Sequence, residues 1–154
     1  MAKKFYDPQE CVGFMTYTTS RLLSATLHRY MEKMGLELTS EQWGMLVQLF
    51  NRGNIHQEEI TRASGVDKST TSRTLGLMER RGLIVRNTDP ADTRRKILSL
   101  TPKAQAIKED SLQAVQNALA QALKGVDPKE RRICLQVLGQ VKKNLQELIT
   151  RSDE

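Results

Sequence analysis

Apolar residues fall into stretches along the chain, most of them at helical spacing. Val12, Met15, Leu22, Leu23, Leu27, Tyr30, Met31 and Met34 recur every three or four positions, which predicts one long amphipathic helix from about Gln9 to Met34. Thr39-Ser40-Glu41-Gln42 then has the form of a capping box, with Thr39 closing free N–H groups and Gln42 reaching back. Trp43, Leu46, Val47 and Phe50 lie on one face of the helix it opens. A short helix is expected over Gln57–Ser64 with Ile60 and Ala63 inward, and another from Asp67 or Lys68 to Arg81. Leu83–Arg86 reads as a strand, Thr88–Arg95 as a hairpin loop and Lys96–Leu100 as the returning strand.

Two helices are expected in the last third. Leu112, Val115, Leu119, Ala122 and Val126 alternate steps of three and four, as do Cys134, Leu138, Val141, Leu145 and Leu148. The prolines respect these boundaries: Pro102 and Pro128 stand at first helical positions, where a missing N–H is harmless. Gly35, Gly53, Gly65, Gly82 and Gly125 each follow an apolar-periodic segment, as helix C-termini prefer. The fold class is therefore mainly α with a small β-hairpin. No internal repeat or low-complexity tract interrupts it.

Chain length adds a bound: 154 residues make one domain, or one domain with appended helices. The apolar share of 38% supports a core, and no apolar run approaches the ~18 residues of a membrane span. The first ten residues lack the apolar core of a signal peptide, so the cytoplasm is the expected compartment. Cys11 and Cys134 are too far apart for a clamp motif, and His28 and His56 lack metal-ligand spacing. Phosphate-loop, dinucleotide and nucleophile-elbow motifs are missing too. No catalytic residue, metal or cofactor is expected, although an enzyme built from scattered carboxylates stays open at this point.

Charge is uneven. The chain carries a net +6, and the segment 67–101 alone holds eight basic and four acidic residues. A polyanion would meet the protein there. On the helix after Gly65, Thr71, Thr74, Leu75 and Met78 form an inward stripe. Ser69, Ser72, Arg73, Gly76 and Arg80 form the opposite face. Short hydroxyls near a helix start, backed by an arginine, suit a helix lying against a duplex, with Arg73 able to reach a guanine edge. The same serines and threonines would also serve simply to cap and solubilise the helix. In the hairpin, Arg94, Arg95 and Lys96 make a cationic tip able to enter a narrow minor groove, or one merely solvated.

Helix, tight turn, helix, strand, loop and strand over Ile55–Thr101 describe a winged helix-turn-helix. From Leu38 to Thr101 the sequence resembles the MarR family of bacterial transcription regulators. The resemblance rests on Ser69-Thr70-Thr71-Ser72-Arg73, on Leu77–Ile84, and on Asp92-Thr93-Arg94 followed by Leu98-Ser99-Leu100-Thr101. Thr71 and Gly76 depart from the usual pattern, the first standing where an apolar residue is commoner. The flanking helices fit the family's full-length layout.

The resemblance implies a homodimer that binds a pseudo-palindromic double-stranded operator, most simply as a repressor released by a small ligand. Residues 9–34 and 102–150 would form the dimerisation helices and 39–101 the DNA-binding lobe. Lys68, Ser69, Thr70, Ser72 and Arg73 would face the major groove. Arg94 would enter the minor groove, held by Asp92 and supported by Arg95 and Lys96. The apolar seams independently favour a dimer, with an intramolecular bundle as the alternative.

Two triggers are candidates. Tyr17, Arg21, His28 and Trp43 would line a cleft for a small anionic aromatic effector. Cys11, near a helix start that favours the thiolate, is similar to the reactive cysteine of the family's peroxide-sensing branch. A winged-helix module binding an acidic protein partner is the reading from a different class.

Overall fold

The computed structural model describes residues 7–152. It divides into two units, Met1–Leu119 and Ala120–Glu154.

The first unit opens with one 3-10 turn, Pro8–Glu10, which Asp7 caps by accepting from the Gln9 N–H at 3.0 Å. Helix α1 follows, Val12–Lys33. The single helix expected from Gln9 is therefore broken at Cys11, whose extended backbone (φ −95°, ψ 116°) separates turn from helix. Helix α2 is Ser40–Arg52. Its capping box forms as expected, the Gln42 N–H donating to Thr39 Oγ1 and the Thr39 N–H to Gln42 Oε1, both at 3.2 Å.

Strand β1, Ile55–His56, is only two residues long and leads directly into α3, Gln57–Ser64. After Gly65 in the left-handed conformation (φ 67°) comes α4, Lys68–Arg80. Strands β2, Ile84–Thr88, and β3, Lys96–Leu100, form the hairpin. The sheet order is β1-β3-β2, all antiparallel, with Ile84 opposite Leu100, Thr88 opposite Lys96 and His56 opposite Ile97. Strand β2 begins one residue later than its apolar run suggests. It ends two later, because Asn87 and Thr88 pair with Ile97 and Lys96 despite being polar.

The segment after β3 holds three helices where periodicity suggests two: α5 (Pro102–Ala106), α6 (Lys108–Ala122) and α7 (Pro128–Ser152). The break lies at Ile107. Thr101 caps α5 and also donates to the carbonyls of Gly82 and Leu83, tying the helix to the end of the α4 turn. The buried side of α6 is Ser111, Ala114 and Ala118. Leu112 and Leu119 of the anticipated seam are exposed, and Val126 lies in the loop beyond the helix.

Met31, Leu38, Leu46, Leu49, Ile60, Leu75, Met78, Ile84 and Leu98 form the core of this unit, with Ala104 and Ala114 closing it. Nine large apolar side chains from α1, the loop after it, α2, α3, α4 and the sheet thus hold the DNA-facing elements in one block. Each contributes roughly 1.5–3 kcal/mol by leaving water. The first three turns of α1 stay outside that core, and Val12, Phe14, Met15, Tyr17, Leu22 and Leu23 are exposed.

In the second unit, Asp127 caps α7 by accepting from the Lys129 N–H at 2.7 Å. Pro128 takes the first helical position. Leu138, Leu145 and Leu148 of its seam are exposed, as are Ile133, Leu135, Val137 and Ile149. Among the described residues, no helix is long and apolar enough to cross a membrane, and no acidic, thiol and imidazole groups gather as a metal centre would need.

Candidate nucleic-acid interface

Helix α4 is seated at both ends. At its start, Asp67 Oδ1 accepts from the Thr70 N–H at 2.8 Å. That backbone bond, followed by the Thr70 side chain, holds the Asp67 carboxyl below the usual carboxylate range. At its end, Arg81 donates to Gln42 Oε1 and to Glu37 Oε2, both at 3.2 Å, and the Arg81 carbonyl accepts from Lys103 Nζ at 2.8 Å. Thr71, Leu75 and Met78, at helical spacing, are fully buried. This leaves Lys68, Ser69 and Arg73 exposed, with Thr70 and Ser72 half-buried beside them.

Arg86 of β2 braces the recognition helix from the sheet side. It donates from Nε to Glu79 Oε2 at 2.9 Å and from Nη1 to Gln57 Oε1 at 3.3 Å. A Cβ on Gly76 would stand 3.3 Å from Arg86 Nη2. The glycine that looks unfavourable in a helix thus lets this guanidinium pass close to α4.

In the wing, Arg94 forms a fork on Asp92: Nε donates to Oδ1 at 3.1 Å and Nη2 to Oδ2 at 3.3 Å. The Arg94 backbone N–H also donates to Oδ1 at 3.1 Å. The Arg94 side chain lies beside the Asp92 carboxyl and lowers its pKa, and the backbone bond adds to the effect. Arg94 remains 89% exposed. Its neighbours are turned back: Arg95 lies 3.9 Å from Glu58, and Lys96 Nζ donates to Thr88 Oγ1 at 2.8 Å. The three consecutive cations thus have different partners: Asp92 for Arg94, Glu58 for Arg95 and Thr88 for Lys96. Arg95 Nε is buried and without a hydrogen-bond partner.

Between α3, the start of α4 and the wing lies a cleft of about 440 Å³. Five cations line it, Arg62, Lys68, Arg94, Arg95 and Lys96, against the single carboxylate Glu58. Arg62 escapes sequence inspection because it belongs to the first helix of the pair and lies outside the basic run. A second feature also goes unforeseen. His56 Nε2 lies 2.7 Å from Asp89 Oδ2 and Nδ1 lies 3.3 Å from Glu59 Oε1, and Arg52 pairs with Glu59. Nothing in the spacing of 56, 59 and 89 signals this contact, which the pairing of β1 with β3 creates.

The candidate effector residues have different surroundings among the described residues. Arg21 Nη1 donates to the Tyr17 hydroxyl at 3.0 Å with its guanidinium 5.7 Å from the ring centroid, both on the exposed part of α1. His28 lines a separate cavity of about 480 Å³ with Glu32 and residues 35–39, and pairs with Glu32 at 3.4 Å. Neither Tyr17, Arg21 nor Trp43 lines that cavity. Trp43 packs instead on Phe50, ring centroids 6.1 Å apart, against the core. Cys11 is half-buried at the N-cap of α1.

A seated second helix with a polar outer face, a two-stranded wing with a projecting arginine and a cationic cleft between them define a winged helix-turn-helix DNA-binding protein. Residues 38–96 match the sequence model of the MarR family. Among solved structures, the chain is 28% identical to a probable transcriptional regulator from Pseudomonas aeruginosa, with a TM-score of 0.75. The alignment covers 88% of this chain and 99% of that one. AbfR, in a structure of its reduced form bound to DNA, is 25% identical with a TM-score of 0.72, over 87% of this chain and 91% of the other. BpsR of Bordetella bronchiseptica is 22% identical with a TM-score of 0.80, over 90% and 98%. Over residues 38–96 the chain is similar to the MarR family, and its fold is the MarR-like winged helix-turn-helix of DNA-binding transcriptional regulators. Regulators of this family are not enzymes.

Proposed function

We propose that the protein works in the cytoplasm as a homodimeric repressor that binds a near-palindromic duplex operator and leaves it when a small anionic aromatic ligand arrives. The cleft with five cations and one carboxylate, opening beside the polar face of α4, carries the DNA reading. In this reading Lys68, Ser69, Thr70, Ser72 and Arg73 meet the major groove, Asp92 aims Arg94 into the minor groove, and Arg95 and Lys96 follow the backbone. The dimer uses residues 9–34 and 102–150. Its support is the apolar surface left open on α1 and, separately, on α7, since patches of that extent on soluble proteins mark contact sites.

The ligand reading is supported by BpsR, whose DNA binding is regulated by 6-hydroxynicotinic acid. Two places suit such an acid, the Tyr17–Arg21 pair and the cavity at His28. A redox trigger at Cys11 is the second reading, favoured by AbfR having been captured on DNA both reduced and overoxidized.

Selection of duplexes from a random pool, with sedimentation of the complex, tests the proposal. Two chains per site and half-site centres about one helical turn (~34 Å) apart are expected. A single chain per site, or preference for an acidic protein over duplex DNA, would overturn it. Adding the aromatic acid, or peroxide to the parent and to Cys11→Ser, then separates the two triggers.

A further inference from the structure

Asp89 stands at the base of the wing. Its N–H donates to the Arg95 carbonyl at 3.1 Å, closing the loop, and its Oδ1 accepts from the Ala91 N–H at 2.8 Å, shaping the turn that leads to Asp92 and Arg94. The residue is buried, and its remaining oxygen, Oδ2, faces His56 Nε2 at 2.7 Å. His56 lies at the end of β1, where the chain enters α3, and Glu59 of α3 faces its other nitrogen. One imidazole thus joins the base of the wing to the helix pair that carries α4.

Both ring nitrogens point at carboxylate oxygens. Only an imidazolium can donate from both; a neutral ring turns one lone pair toward a negatively charged oxygen. We propose that His56 is the positioning residue of the wing: charged, it bridges Asp89 and Glu59 and holds Arg94 over the duplex, and losing its proton slackens the wing and weakens DNA binding. This rests on the wing assignment above.

The surrounding charges agree in sign. Asp89 and the adjacent Asp92 approach from the wing base and Glu59 from α3. Arg52 of α2 reaches Glu59, and Arg95 is drawn toward Glu58 rather than toward the imidazole. The Asp89 carboxyl is held below its usual range first by His56 and then by the Ala91 N–H, so it remains the anionic partner through neutral pH. Deprotonating His56 therefore unmasks negative charge beside a surface that must receive phosphates, and a polyanion bound there favours the charged ring. The bridge and the field of the DNA act together.

The chain has two histidines, so the assignment is experimentally clean. Duplex affinity is measured at about pH 6, 7 and 8 at constant salt for the parent, His56→Gln, His28→Gln and Arg94→Ala. The parent and His28→Gln should lose about tenfold across that range, and His56→Gln should bind weakly and nearly independently of pH. A flat parent profile, or an unchanged profile in His56→Gln, overturns the positioning role. If Arg94→Ala binds like the parent, the wing assignment itself has failed. The clamp is then read in the free protein by NMR, where the Ala91 and Arg95 amides should shift with the titrating His56 ring, and amides insensitive to it would refute the tie. The amide readout in the parent also covers a His56→Gln variant that fails to fold.

Discussion

Arg94→Ala removes a guanidinium that the fold scarcely uses and the duplex should use heavily. The side chain is 89% exposed and bonds only to Asp92 within the wing loop. An ion pair so open to water stabilises a fold by about 0–1 kcal/mol, and the melting temperature should move little. Inserted in a minor groove, the same group is worth about 1–3 kcal/mol, so operator affinity should fall about 5- to 150-fold. Asp92→Ala sharpens the test because two arguments disagree on its sign. Removing an anion near phosphates should raise affinity if net charge governs binding. If instead the carboxylate aims Arg94, affinity should fall, by about three- to tenfold. Fluorescence anisotropy with a labelled operator, paired with thermal melts of the same samples, reads both quantities. Affinity that is unchanged in Arg94→Ala, or raised in Asp92→Ala, would refute the aimed-arginine reasoning.

Three further expectations follow from the same geometry. Thr71 is fully buried and its hydroxyl reaches only Ser64 Oγ at 3.4 Å, so Thr71→Val should stabilise the protein by about 0.5–1 kcal/mol in denaturant titrations while DNA binding stays unchanged. A loss of stability would mean that the hydroxyl bond matters more than its length indicates. Leu145→Glu on α7 should lower the dimer association constant by at least about 100-fold in sedimentation equilibrium, since an unpaired charge would enter the interface; an intact dimer would clear this face of that role. Glu59, Asp67, Asp89 and Asp92 all have carboxyls held below their usual range, so their support is complete above about pH 5 and disappears as pH falls through the lowered values. Melting temperature should therefore drop on acidification below that point, and a rise there would contradict the assignment.

The helical lobe was legible because its signals are local. The Thr39 capping box, the Thr71, Leu75 and Met78 stripe and the basic run at 94–96 depend on neighbours within a turn or two, and the structure displays each of them. What the sequence concealed was nonlocal. Strand β1 is too short to show alternation and exists because β3 offers Leu98 and Ile97 as partners. The bond from His56 to Asp89 spans 33 positions and follows from that pairing. The division of roles among the three wing cations was equally hidden, since Glu58 and Thr88 claim Arg95 and Lys96 from elsewhere in the fold. Periodicity identifies the apolar stripe of α6 without saying what covers it: Ser111, Ala114 and Ala118 face the core, Val115 packs at its edge, and Leu112 and Leu119 stay exposed. Residue type alone likewise does not show that Trp43 packs on Phe50 while Arg21 bonds to Tyr17.

The most direct test is the salt dependence of binding to a selected duplex in the presence of excess competitor DNA. Specific binding should persist against competitor, and the logarithm of the association constant should fall linearly with the logarithm of salt concentration, by about 0.9 for each phosphate contacted. Failure to bind duplex DNA even at low ionic strength would contradict the account.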